Sequence, residues 1–231
     1  VTISSAIAFY YGDGKLSALA RHSTVVLQAD FYSPAELAWL ADQGVRTLCY
    51  LSLTEDVGPP APWQRDKRCP DWGGAYVHVG SPLWQAHVLD QAAAGLKSGF
   101  AGLFLDTLNI EFTYPEDLPH LWELISALRE ASGSAYVLAN RGFGLLPELG
   151  SVVDGVLFES FSARWVADSY ARWPQATLDV HAEYAVKLAE LGVEVYALDY
   201  ADTPELEEWA VRRAAEYGMP CFVSDKALGR I

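Results

Sequence analysis

The chain has 231 residues and a mass of 25.3 kDa, and 16 lysines and arginines against 30 aspartates and glutamates leave a net charge of −14. That length holds one large domain or two small ones, and a hydrophobic share of 51% with 13% aromatic residues excludes a disordered chain. The acidic balance, with a pI near 4.6, excludes nucleic acid and anionic membrane surfaces, which need clustered Lys and Arg, and favours a neutral or cationic ligand, although acidity also serves solubility alone.

Along the chain, short apolar runs alternate with amphipathic segments. Val1 in place of Met is read as the start of a processed or trimmed chain, from which any signal peptide would already be gone. The first runs are Ala6–Tyr11, Thr24–Asp30 and Arg46–Leu53, nearly continuous in hydrophobicity, as strands buried on both faces are. Before the third, Ser33-Pro34-Ala35-Glu36 makes a capping box with Pro at the first helical position, and Gly44 ends that helix. A long connection follows the third run, and Tyr76–Gly80 within it reads as an extra short strand. Helices around Trp84–Lys97 and Asp117–Ala131 close near Gly99 and Gly133 and flank a strand at Ala101–Asp106. Ala135–Asn140, Gly155–Glu159, Val193–Asp199 and Pro220–Ser224 bring the strands to eight, and Thr203-Pro204-Glu205 opens a helix that Gly218 closes.

Eight strands alternating with helices within about 250 residues predict an α/β (β/α)8 TIM barrel with an elaborated connection after strand three. A doubly wound open sheet is the alternative, and it needs fewer strands. No linker, charge run or composition shift divides the chain, so residues 1–231 are read as one domain. No stretch of about 18 apolar residues exists, so no membrane insertion is expected. Cys49, Cys69 and Cys221 form no CxxC, and Cys49 and Cys221 lie in apolar runs as inert thiols would. The five histidines show no ligand spacing, and there is no P-loop, Gly-x-Ser-x-Gly elbow or HExxH; no metal or cofactor is expected. Gly142-Phe143-Gly144 opens like a dinucleotide loop, but Leu146 and Pro147 end the match.

The informative feature is what terminates the strands. Apolar runs end at Asp30, near Glu55, and at Asp106, Asn140, Glu159 and Asp199, positions that a parallel barrel gathers at its C-terminal face. Gly102-Leu103-Phe104-Leu105-Asp106 and Gly155-Val156-Leu157-Phe158-Glu159 each put a glycine four residues before an acid, on the same side of the strand. A single strand-end acid more often caps the next helix. Several converging with few basic neighbours raise one another's pKa values, as acid–base chemistry requires, and paired carboxylates point to glycoside hydrolysis. Trp63, Trp72 and Trp84 could stack on sugar rings or simply pack.

A set of segments then occurs in order. Tyr10-Tyr11-Gly12, Leu27-Gln28-Ala29-Asp30-Phe31-Tyr32, Tyr50-Leu51-Ser52-Leu53-Thr54-Glu55, Gly102-Leu103-Phe104-Leu105-Asp106-Thr107-Leu108-Asn109, Ala139-Asn140-Arg141-Gly142-Phe143, Asp154-Gly155-Val156-Leu157-Phe158-Glu159-Ser160 and Ala197-Leu198-Asp199-Tyr200-Ala201-Asp202 resemble the glycoside hydrolase family 114 barrels from about residue 6 to residue 225. These are endo-α-1,4-polygalactosaminidases, with the related hydrolase domain of the bacterial Pel exopolysaccharide protein. The resemblance implies internal cleavage of α-1,4-linked galactosamine-containing polysaccharide, with Asp106 as nucleophile and Glu159 as acid/base. It also implies that Tyr10, Asp30, Tyr32, Glu55, Asn109, Asn140, Asp199, Tyr200 and Asp202 bind sugar. Asn109 stands at a commonly acidic position, and the helical part after strand six matches no family pattern.

A short Asp and a longer Glu on strands four and six, about two strand spacings of ~4.8 Å apart, could bring their carboxyls to the roughly 5–5.5 Å of a retaining pair, while ~2 Å more would admit an inverting water. The expected partner is a cationic or partly deacetylated polysaccharide, the expected state a monomer, and the expected location secreted or periplasmic. A non-catalytic carbohydrate-binding barrel and an α-glycosidase acting on a different polysaccharide are the alternatives.

Overall fold

A computed structural model describes residues 6–231. Eight parallel strands form a nearly closed barrel: β1 (Ile7–Tyr10), β2 (Thr24–Leu27), β3 (Arg46–Ser52), β4 (Gly102–Asp106), β5 (Tyr136–Asn140), β6 (Gly155–Glu159), β7 (Glu194–Tyr200) and β8 (Cys221–Ser224). Each strand pairs with the next of the eight; β1 and β8 lie near each other at the two edges, and just beyond them the Tyr11 amide donates to the Leu228 carbonyl at 3.0 Å. The predicted (β/α)8 barrel is the fold.

Helices α1 (Leu16–Leu19), α2 (Pro34–Asp42), α3 (Pro82–Ser98), α4 (Leu118–Ser132), α5 (Gln175–Ala189) and α6 (Pro204–Glu216) alternate with the strands. The α2 capping box forms in full, Ser33 Oγ accepting from the Glu36 amide and the Glu36 carboxylate from the Ser33 amide. At α6, Thr203 Oγ1 accepts from the Leu206 amide at 3.3 Å, satisfying one of the orphan donors of that helix start. Between β5 and β6 the chain makes only short 3₁₀ turns.

Two excursions stand on the C-terminal side of the strands. The connection after β3 builds a three-stranded antiparallel sheet with Ala75–Val77 between Glu55–Asp56 and Gln64–Arg68, so the short strand expected at Tyr76–Gly80 exists but ends at Val77. After β6, Ala163–Val166 and Ser169–Arg172 pair as a hairpin that carries Trp165 and Tyr170.

Inside the barrel, Phe9, Tyr50 and Phe104 form the aromatic floor, with Phe9 and Phe104 edge to face at 5.5 Å. Lower still, the two glycines that precede acids make room for other groups. A Cβ on Gly102 would overlap the Tyr136 carbonyl oxygen and meet Leu48 Cδ2 at 2.8 Å, and one on Gly155 would meet the Tyr136 hydroxyl at 2.5 Å. Cys49 faces out of the barrel toward α3, and burial pushes its thiol up to about 12.

Candidate active site

Register fixes the first geometry. Ser52 pairs with Asp106 across β3 and β4, Asn140 with Leu157 across β5 and β6, and Glu159 with Leu198 across β6 and β7, so Asp106, Asn140 and Glu159 end three consecutive strands. The residue after each one is left-handed and not glycine: Thr107 (φ 64°), Arg141 (φ 58°) and Ser160 (φ 54°). Such a conformation costs about 1 kcal/mol or more per residue, and strain of this kind collects where surrounding bonds enforce it. Here they do. The Arg141 amide donates to Leu157 O at 2.8 Å and the Ser160 amide to Leu198 O at 2.7 Å, so the ladder continues past each turn. Thr107 Oγ1 accepts from the Leu53 and Thr54 amides at 3.1 and 2.9 Å.

Asn140 joins the two acids. Its Nδ2 donates to Asp106 Oδ1 at 2.7 Å and to Glu159 Oε2 at 2.6 Å, so the two bonds laid end to end bound the separation of those oxygens. Both amide hydrogens are thereby used, and Asn140 is buried. Tyr200 donates its hydroxyl to the other Glu159 oxygen, and the Tyr50 phenol lies close enough to Asp106 to feel its charge. Burial holds the Glu159 carboxyl above its usual range and the charge of Asp106 adds to this; Tyr200 and Asn140 pull the other way, with Arg141 behind them. Burial, then the Asp106 charge, keeps the Tyr11 and Tyr50 phenols protonated well above their ordinary pKa. The arrangement thus sets a buried carboxyl of raised pKa beside a second carboxylate that shares its Asn140 donor.

Above the pair opens a cavity of about 880 Å³. Its walls include Asp30, Glu55, Asn109, Asn140 and Tyr200, together with Tyr11, Tyr50, Trp72 and Lys226, none of these last four among the residues expected to bind sugar, although Tyr11 and Tyr50 stand in the quoted segments and Trp72 is a possible platform. Six carboxylates line it against one lysine. Asp30 is exposed where it borders that space.

Four residues expected to bind sugar lie outside these walls. Asp199 is fully buried, accepts from the Ser162 and Ala163 amides at 2.8 Å each, and anchors the root of the hairpin; burial raises its carboxyl to about 7. Tyr10 is buried with its hydroxyl donating to Asp13 O, and Tyr32 ties its own to Gly12 O and Gly14 O. Asp202 is exposed and accepts from Ser169 Oγ at 3.2 Å. Parity explains two of these placements. Side chains alternate along a strand, so if Phe9, Tyr11, Leu198 and Tyr200 face the cavity, Tyr10 and Asp199 face away. Among the tryptophans, Trp84 is buried with Nε1 donating to Leu53 O, and Trp63 packs on His87 at 5.1 Å; Trp72 alone of the three is half exposed.

Among the described residues no group of three or more His, Cys, Asp or Glu could hold a metal ion, and no helix is long and apolar enough to cross a membrane.

A parallel barrel with carboxylates at its C-terminal mouth is an architecture that glycoside hydrolases use, and comparison with known proteins gives the class. The glycoside hydrolase domain of PelA from Pseudomonas aeruginosa is 31% identical and superposes with a TM-score of 0.89, covering 98% of this chain and 97% of that one. The chain belongs to the family of that hydrolase domain and is a glycoside hydrolase. Ega3 from Aspergillus fumigatus, solved in complex with galactosamine, shares the fold with a TM-score of 0.75 at 13% identity, covering 99% of this chain and 94% of that one. An uncharacterized protein of Deinococcus radiodurans is 22% identical over 259 residues, 96% of this chain and 79% of its own length. No family model matches the chain.

Proposed function

We propose that the chain is an endo-acting hydrolase of α-1,4-linked, galactosamine-containing polysaccharide, with Asp106 as nucleophile, Glu159 as acid/base and net retention at the anomeric carbon. The observation that carries this is the Asn140 amide spanning both carboxylates at 2.7 and 2.6 Å. It favours a separation near the roughly 5–5.5 Å of retaining pairs over the roughly 6.5–9.5 Å that leaves room for an inverting water. The PelA domain and the galactosamine bound to Ega3 support the sugar assignment. So does a cavity with six carboxylates, since an amino sugar carries an ammonium at neutral pH.

In the first step Glu159 gives its proton to the glycosidic oxygen as the bond from C1 to that oxygen breaks, and Asp106 forms a bond to C1. In the second, Glu159 takes a proton from water as the water oxygen bonds to C1, and Asp106 leaves as carboxylate. Asn140 steadies Asp106 while its charge is consumed and restored. A polymer of this kind lies outside the cytoplasm, which favours an exported enzyme.

The test is digestion. Deacetylated α-1,4-polygalactosamine should yield short oligomers, more slowly as salt screens the attraction, and neutral α-glucans and α-galactans should not be cut. Preferential cleavage of the neutral polymers would overturn the sugar assignment; retention of the amino polymer on an affinity gel with no new reducing ends would leave a binding barrel. A finer expectation concerns Tyr200. Its hydroxyl stabilises the charged form of Glu159, so Tyr200→Phe should raise the Glu159 pKa further and move the alkaline limb of kcat/KM to higher pH. A limb that stays in place would remove Tyr200 from this role.

A further inference from the structure

We propose that the indoles of Trp72 and Trp165 form a subsite for the ammonium group of a deacetylated amino-sugar residue, and that Lys226 occupies it as an internal substitute which substrate displaces. This rests on the reading above that the substrate carries ammonium groups.

Three separate segments converge to make the pocket: the loop after β3 supplies Trp72, the hairpin after β6 supplies Trp165, and the segment after β8 supplies Lys226. Lys226 Nζ lies 4.7 Å from the centroid of each indole, inside the ~6 Å within which a ring quadrupole attracts a cation. The two rings meet edge to face at 5.6 Å, so the cation sees both. Such a location is unexpected for a lysine in a chain with 30 acidic residues, because none of the ion pairs among the described residues includes it. Apart from the indoles, Nζ has one long hydrogen bond, 3.5 Å to Asp71 O.

The backbone is held differently from the side chain. The Lys226 amide donates to the Tyr170 hydroxyl at 2.8 Å, so the chain is pinned while the ammonium rests on two ring contacts and one weak bond. A flexible four-carbon stem on a fixed root can swing away without disturbing the barrel. What it leaves behind faces the cavity, since Trp72 and Lys226 both line it and Trp72 is half exposed. The pocket is also connected to the chemistry. Trp165 packs edge to face on Tyr200 at 5.0 Å, and Tyr200 hydrogen-bonds Glu159. An N-acetylated residue carries no charge for the ring quadrupoles to attract, so the pocket favours deacetylated residues.

Titration with tetramethylammonium chloride, at ionic strength held constant with sodium chloride and read by tryptophan fluorescence, tests this without requiring turnover. Lys226→Met should bind the probe saturably and at least five-fold more tightly than the unaltered protein, with Lys226→Gln as a second emptied pocket should the first fail to fold. Adding Trp72→Ala to either should abolish the gain, whereas a mere change of net charge would leave it intact. Equal binding in all forms, or a gain that survives loss of Trp72, overturns the proposal. Against the polymer, Lys226→Met should lower KM several-fold for deacetylated oligomers and leave it unchanged for fully acetylated ones. Probe binding without cleavage of any galactosamine polymer would keep the subsite and sink the substrate assignment; cleavage without the probe pattern would do the reverse.

Discussion

Asp106→Asn and Glu159→Gln are each expected to lower kcat/KM on polysaccharide by about a thousand-fold or more, the scale at which loss of a positioned acid/base or nucleophile is felt. The two losses should differ in kind. Without the Glu159 proton, a substrate with a good leaving group still reacts with Asp106, and azide can then take the sugar from the enzyme, so Glu159→Gln should be rescued on an aryl glycoside. Asp106→Asn should not be rescued in that way by a change of leaving group, because the atom that attacks C1 is gone. Folding should survive in both, since an Asn oxygen at position 106 can still accept from Asn140 Nδ2. Initial rates on polymer and on an aryl glycoside, with thermal unfolding as the control, separate these cases. Near-normal turnover by Asp106→Asn would remove it as nucleophile.

Gly102→Ala should be the most damaging single methyl in the barrel. The added carbon would overlap the Tyr136 carbonyl oxygen, and Tyr136 is the pairing partner of Gly102, so neither backbone can retreat without breaking the β4–β5 ladder. Overpacking against backbone costs about 3 kcal/mol, equivalent to roughly 10 °C in melting temperature for a chain of this size. Gly229 is the control, because a Cβ there meets nothing nearer than 3.9 Å. Circular dichroism melts should show Gly229→Ala within a degree or two of the parent and Gly102→Ala far below it. Equal melting temperatures would mean the strands are not packed this closely.

That glycine also shows what a sequence can and cannot disclose. Strands buried on both faces leave near-continuous apolar runs, and all eight fell within a residue or a few of the observed bounds. Ser33, Pro34 and Glu36 announced the start of α2 because their side chains act on neighbours in sequence. The Gly102 and Asp106 spacing indicated a shared face, but not that Tyr136, a residue of the next strand, fills the space. A strand-end acid read without its phase does not disclose which way it points: Asp199 stands between Leu198 and Tyr200, which line the cavity, and turns instead to the Ser162 and Ala163 amides. The same alternation turns Tyr10 away from the cavity that Phe9 and Tyr11 line. The left-handed Thr107, Arg141 and Ser160 leave no trace in composition, since each is held by hydrogen bonds to residues distant in sequence. The hairpin after β6 is likewise illegible, for its partners lie on another strand, β7: Asp199 at its root and Tyr200 beneath Trp165.

If one amide indeed spans a nucleophile and an acid/base, the stereochemistry of the first product follows. Proton NMR on a deacetylated α-1,4-galactosamine oligomer, recorded within the first minutes of hydrolysis, should show the new reducing end appearing as the α anomer and only then equilibrating. A β anomer appearing first would mean that water attacks directly from the opposite face, and that Asp106 and Glu159 do not divide the work in this way.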